Sequence, residues 1–133
     1  GNSSNPMALQ SVAFPNMTVT SLSVVFGSST AAYACQQLSV VDIGKTASIA
    51  ASAFANCYKL QTLILRKTDA ICTLSNISAF LNTPIRGYNS LTGTVYVPNA
   101  LISTYQSATN WSTLYNNGTV TFVKIEGSAY DLS

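Results

Sequence analysis

The sequence predicts an α/β fold built as a short stack of repeated coils, closed at its C-terminal side by a helix and a strand. Three observations carry this. Cys57, Leu60, Leu63 and Leu65 lie 22 positions after Cys35, Leu38, Val41 and Ile43, so four apolar positions recur together at one offset. The same Leu-x-x-apolar-x-apolar signature appears earlier as Leu9, Val12 and Phe14, and later, loosened by one residue, as Leu91, Val95 and Val97. Beyond Pro98-Asn99 the period changes to a helical one, with Leu101, Ile102, Tyr105 and Ala108 on one face.

In chain order, residues 9–14 alternate as a strand and stop at Pro15-Asn16, because proline withholds a ladder donor and asparagine favours turns. Val19, Leu22, Val24 and Phe26 form the return side of that coil, and Gly27 to Thr30 turn the chain. Ala31 to Cys35 matches Ser52 to Cys57 with one residue missing, which puts Tyr33 where Phe54 stands in the next repeat. Both rings are expected to be inward plugs between coils. Val40–Ile43 is a strand ended by Gly44, and Ile49 belongs to the return wall. After Leu65 comes the one cluster of charge, Arg66 to Asp69, then Ile71, Leu74, Ile77 and a third plug, Ala79-Phe80. Strand offsets from Val12 to Val41, Leu63 and Val95 are 29, 22 and 32, so the last carries an insertion containing Thr83 to Gly87. A helix is expected over 100–109, capped by Asn99, with Trp111 one turn beyond. Asn116-Asn117-Gly118 is a turn, and Val120–Val123 a closing strand 25 residues after Val95. The 133 residues make one domain, with repeats over about 7–98 and a cap over about 99–125 that covers the apolar end of the stack.

Composition bounds the role. Charged residues are 8% of the chain, whereas 18 serines, 15 threonines and 11 asparagines give an uncharged, hydroxyl- and amide-rich surface. A net charge of +2 offers no electrostatic footprint for nucleic acid. The apolar runs are too short to span a bilayer. The chain opens on Gly1-Asn2-Ser3-Ser4-Asn5-Pro6 with no signal-like region, and reads as a mature or excised portion of a longer protein. With no histidine, no Ser-His-Asp constellation exists and no zinc site has its usual ligands. The four acids, Asp42, Asp69, Glu126 and Asp131, are scattered, so no catalytic residue, metal or cofactor is assigned. Cys35 and Cys57 fall at equivalent places about one strand spacing apart, which permits a bridge but favours two reduced, buried thiols. Five Asn-x-Ser/Thr sequons, at Asn2, Asn16, Asn76, Asn110 and Asn117, are what this composition produces by itself.

The Ala-Phe-x-x-Cys-x-x-Leu-x-x-apolar-x-apolar core over Ala53 to Leu65 resembles the BspA-like, or Treponema-type, leucine-rich repeat family of bacterial surface proteins. Asn82 to Ile85, Thr94 to Asn99 and Ser107 to Ser112 are similar to the last repeat and C-terminal cap of such proteins, and the likeness covers residues 30–112. Arg66 and Gly44 stand where the family often has proline. The resemblance implies a right-handed leucine-rich-repeat solenoid with parallel strands on its concave face, and extracellular or cell-surface display. It implies a non-catalytic role in adhesion or in recognising a protein or glycan on a host or bacterial surface. The alternative is an architectural spacer or stalk on a larger surface, cell-wall or phage-associated protein. If Val12/Phe14, Val41/Ile43, Leu63/Leu65 and Val95/Val97 point inward, period-2 geometry turns Ala13, Asp42, Ile64 and Tyr96 outward, with Arg66 beside them. These five residues are the candidate partner-binding face, and Arg66→Ala or Tyr96→Ala is expected to weaken binding without changing the melting temperature.

Overall fold

The computed structural model describes residues 9–23, 26–28 and 34–133. Its elements run β1 (Ser11–Ala13), β2 (Val40–Asp42), β3 (Ser48–Ile49), β4 (Thr62–Ile64), β5 (Thr73–Leu74), β6 (Gly93–Val97), α1 (Ile102–Ser107), α2 (Trp111–Asn116) and β7 (Val120–Lys124). Five strands make one parallel sheet in the order β1-β2-β4-β6-β7, and β3 pairs with β5 in a second, two-stranded sheet that Leu22 extends by a bridge to Ile49. Parallel neighbours need long crossovers, and the connections between strands supply them.

Val12, Val41, Leu63 and Val95 are successive Cα partners across the main sheet, so the offsets of 29, 22 and 32 are its register. Val41, Ile43, Leu63, Leu65, Val95 and Val97 are fully buried in one core with Leu38, Leu60 and Ile49. β7 continues the sheet, but Val95 pairs with Phe122, 27 residues on, rather than with the first residue of the strand.

Behind the sheet the chain turns at an aromatic column. Phe26, Phe54, Phe80 and Trp111 follow one another at centroid separations of 5.9, 5.6 and 5.8 Å. Gly27 and Ser28 donate their amides to Ala53 and Ala55, and Phe54 and Asn56 donate theirs to Ala79 and Leu81. Each turn is thereby bonded to the next. Gly27 lies so close that a Cβ there would meet the Ala55 nitrogen at 2.3 Å, so no side chain is tolerated. Asn56 and Asn82 take left-handed backbone angles at the corner, and Asn56, buried, is satisfied by donating to the Ser28 carbonyl and accepting from Asn82. The amides of Cys35, Cys57 and Thr83 all donate to the carbonyl of the ring residue in their own turn, Phe26, Phe54 and Phe80.

Phe26 is therefore the ring below Phe54, not a residue of the return wall. It lies nine positions before Cys35, whereas Phe54 lies three before Cys57, and this insertion accounts for most of the longer first offset. Tyr33 and Val24 lie outside the described residues. Leu9, Phe14 and Val19 are exposed, and β1 is an edge strand of the described sheet. Leu91 is exposed as well, and Ile85, buried in that connection, lies against Gly93.

The helical segment differs from one helix over 100–109. A 3-10 turn, Asn99–Leu101, leads into α1, and α2 follows it directly. Ala108 becomes extended and Asn110 takes a φ of 68°, its amide group donating to the Leu74 carbonyl. Asn99 caps nothing; its own N–H is held by the Glu126 carboxylate. Tyr105 and Trp111 seal the core, the Tyr105 hydroxyl accepting from the Cys72 amide and the Trp111 indole donating to the Cys72 carbonyl.

Cys35, Cys57 and Cys72 are buried and unbridged. Burial, with Cys35 beside it, pushes the Cys57 thiol up to about 12, and burial does the same for Cys72. An unfolded thiol near 9.0 loses its proton first, so the stability these groups contribute is complete below pH 9 and declines as pH rises towards 12. The urea midpoint is expected to fall above pH 9, and Cys57→Ala to flatten that fall by about 1.4 kcal/mol per pH unit. A midpoint independent of pH between 8 and 11 would contradict it.

Candidate functional site on the outer sheet face

Two rows of side chains face away from the core. Ser11, Val40, Thr62, Thr94 and Thr121 form one, and Ala13, Asp42, Ile64, Tyr96 and Val123 the other. The second row is the one singled out by sequence, and the structure does bring its members, with Arg66, onto one surface. It does not leave them free. Ala13 is exposed at the edge strand and Arg66 and Tyr96 are half-buried, but Asp42 is 5% exposed and Ile64 is fully buried although it is not part of the main core cluster. The expectation that Asp42 and Ile64 face solvent is corrected.

The segment after β7 folds back beside this row. Ile125 donates its amide to the Val97 carbonyl, continuing the ladder by one residue. The ring of Tyr130 meets that of Tyr96 edge-on at 4.8 Å. Arg66 ties the assembly: its Nε and Nη2 each donate to Asp42 Oδ2 at 2.9 Å, and its Nη1 donates to the Tyr130 carbonyl at 2.7 Å. Asp42 Oδ1 accepts the Gly44 amide at 3.0 Å. Gly44 itself, at φ 59°, sits where a Cβ would meet the Phe14 carbonyl oxygen at 2.5 Å. Charge, turn and tail are thus one hydrogen-bonded unit.

The tail is folded on itself as well. Asp131 accepts from the Gly127 amide and from the Ser133 amide and hydroxyl. The Ser133 hydroxyl first, then the Gly127 and Ser133 amides, hold its carboxyl at about 2, well below the usual range. Between tail and sheet edge lies a cleft of about 200 Å³ whose lining includes Arg66, Pro98, Glu126, Asp131 and Leu132. Both of its carboxylates are engaged with backbone amides. Elsewhere Lys67 pairs with Asp69, whose carboxyl is lowered by that hydrogen bond. Among the described residues no group of three or more His, Cys, Asp or Glu gathers as a metal site would need, and no helix is long and apolar enough to cross a membrane.

The first row keeps its groups. Among the described residues the hydroxyls of Thr62, Thr94 and Thr121, on three adjacent strands, have no protein partner. Sequence reasoning passed over this row and over Tyr130, and it weighed Glu126 and Asp131 only as scattered acids; period 2 on β4, β6 and β7 would have found the threonines, whereas no local signal announces the tail. Comparison of the chain with family models, with curated proteins and with solved structures found no match.

Proposed function

We propose that the chain is a leucine-rich-repeat solenoid of the BspA-like kind, a non-catalytic module for adhesion or recognition of a protein or glycan at the bacterial surface. The observation that carries this reading is the register: the apolar positions of the repeat signature are direct partners on neighbouring parallel strands, and the turn rings Phe54 and Phe80 stack in the same order. A repeat whose units interlock in this way presents a flat array of side chains, which is the geometry of a binding scaffold. The part of the outer face open to a partner is the Thr62–Thr94–Thr121 row, where unpartnered hydroxyls offer both donors and acceptors at strand spacing.

The second reading, an architectural spacer, is favoured by one observation: Arg66 and Tyr96, the residues suited to anchor a partner, are already taken by Asp42 and Tyr130. Attachment of the labelled chain to mucin-coated and peptidoglycan-coated surfaces separates the two. Saturable attachment is expected to fall about tenfold or more in the Thr94→Glu/Thr121→Glu variant, as burying unpaired charge in an interface does, with the melting temperature within a few degrees. Absence of attachment by the folded parent chain places the spacer reading first.

A further inference from the structure

A different surface, on the loops leading into β4 and β6, carries an exposed aromatic ring beside an unpaired cation. Tyr58 and Tyr88 stack at 5.0 Å with an interplanar angle of 18°, so Tyr58 backs one side of Tyr88, which remains 38% exposed. Arg86, Asn82 and Leu81 join Tyr88 around a shallow hollow of about 130 Å³. The Arg86 guanidinium makes no hydrogen bond or ion pair among the described residues, and all four carboxylates of the chain are engaged elsewhere. Asn82 spends its amide nitrogen on Asn56, which leaves its carbonyl oxygen as the polar group not used in that contact.

The loop that presents this set is fixed. Gly87, Asn89 and Ser90 all take left-handed backbone angles, a conformation that costs free energy in the two non-glycine residues and holds only where the surroundings impose it. The Tyr88 amide donates to the Thr83 carbonyl, and the Leu91 amide to the Tyr88 carbonyl. The ring is therefore offered to solvent from a closed turn, with little ordering left to be done on binding.

We propose that this surface binds a uronic-acid-containing saccharide. The exposed side of Tyr88 takes the apolar C–H face of one pyranose ring, the Arg86 guanidinium takes its carboxylate in a two-point hydrogen bond, and the Asn82 carbonyl accepts from a ring hydroxyl. A small hollow beside a single aromatic platform suits one sugar ring, whereas a bound helix or strand requires a longer groove. The site stands apart from the threonine row, so its fate does not depend on that of the outer sheet face.

Titration calorimetry on the full chain with trigalacturonate, neutral maltotriose and a pentaglutamate peptide tests it. Trigalacturonate is expected to bind saturably and about tenfold or more tighter than maltotriose. Arg86→Ala should remove that preference, Tyr88→Ala should abolish binding, and Tyr88→Phe, which keeps the platform, should retain it. Thr94→Glu/Thr121→Glu should bind the saccharide as the parent does, which separates this site from the outer face. No saturable binding by the folded parent chain, equal binding of pentaglutamate, or an Arg86→Ala variant with unchanged preference overturns the proposal.

Discussion

Replacing Phe54 with alanine is expected to cost about 3–5 kcal/mol, the range for truncating a large buried ring. Phe54 is fully buried and stands in the middle of the aromatic column, with Phe26 on one side at 5.9 Å and Phe80 on the other at 5.6 Å. The cavity would be bounded on both sides by rings whose own backbones are tied to the Phe54 turn, through the Gly27 and Ser28 amides below and the Ala79 and Leu81 carbonyls above. Collapse is thereby restricted, which places the cost at the upper part of the range. A domain of this size has about 5–15 kcal/mol in all, so the variant should melt about 10 °C lower or more, and Phe54→Leu should fall between it and the parent. A drop of only a few degrees for Phe54→Ala would mean that the column does not bear on stability and that the turns are held by their hydrogen bonds alone.

The parts of the fold that were legible in the sequence are those where one local pattern repeats. The row Val12, Val41, Leu63, Val95 follows from apolar spacing because each strand solves the same packing problem against its neighbours, so the same residue types recur at the same place. Phe54 and Phe80 follow for the same reason. Phe26 was not legible, because the insertion between it and Cys35 shifts the ring away from the spacing that marks the other two, and alignment on the cysteine selects Tyr33 instead. The division of the cap into α1 and α2 depends on the extended Ala108 and the positive φ of Asn110, whose amide bonds the carbonyl of Leu74 thirty-six residues away. No helical period contains that information.

The candidate site divides along the same line. Which residues share the outer face was readable from alternation on the strands. That Asp42 and Ile64 are buried was not, because Asp42 is paired with Arg66, which is itself held by Tyr130, 64 positions along the chain. Low charge content was a hint in one respect: with four acids in the chain, an aspartate on a strand beside an arginine is more economically explained by pairing than by display to solvent.

Arg66→Ala is expected to lower stability by about 3 kcal/mol, reversing the sequence expectation of an unchanged melting temperature. The side chains of Arg66 and Asp42 are 11% and 6% exposed, so removal of the cation leaves a carboxylate that is largely out of water with only the Gly44 amide as partner. Losing one member of a buried pair costs this much because the remaining charge keeps its desolvation penalty without compensation, whereas replacing both by apolar groups of similar shape is close to neutral. The double variant Asp42→Leu/Arg66→Met should therefore recover most of what Arg66→Ala loses. Arg66→Lys should recover only part, since an ammonium lacks the planar fork that reaches Asp42 and the Tyr130 carbonyl together. The tail provides a readout independent of global stability. With its Arg66 bond gone, hydrogen exchange at the amides of Ile125 to Asp131 should accelerate in Arg66→Ala well before the core strands open. An Arg66→Ala chain that melts with the parent and keeps those amides protected would show that the tail is held without Arg66, by the Tyr96–Tyr130 contact, the Val97 ladder bond and the Glu126–Asn99 bond, and that the ion pair is an ornament of the face.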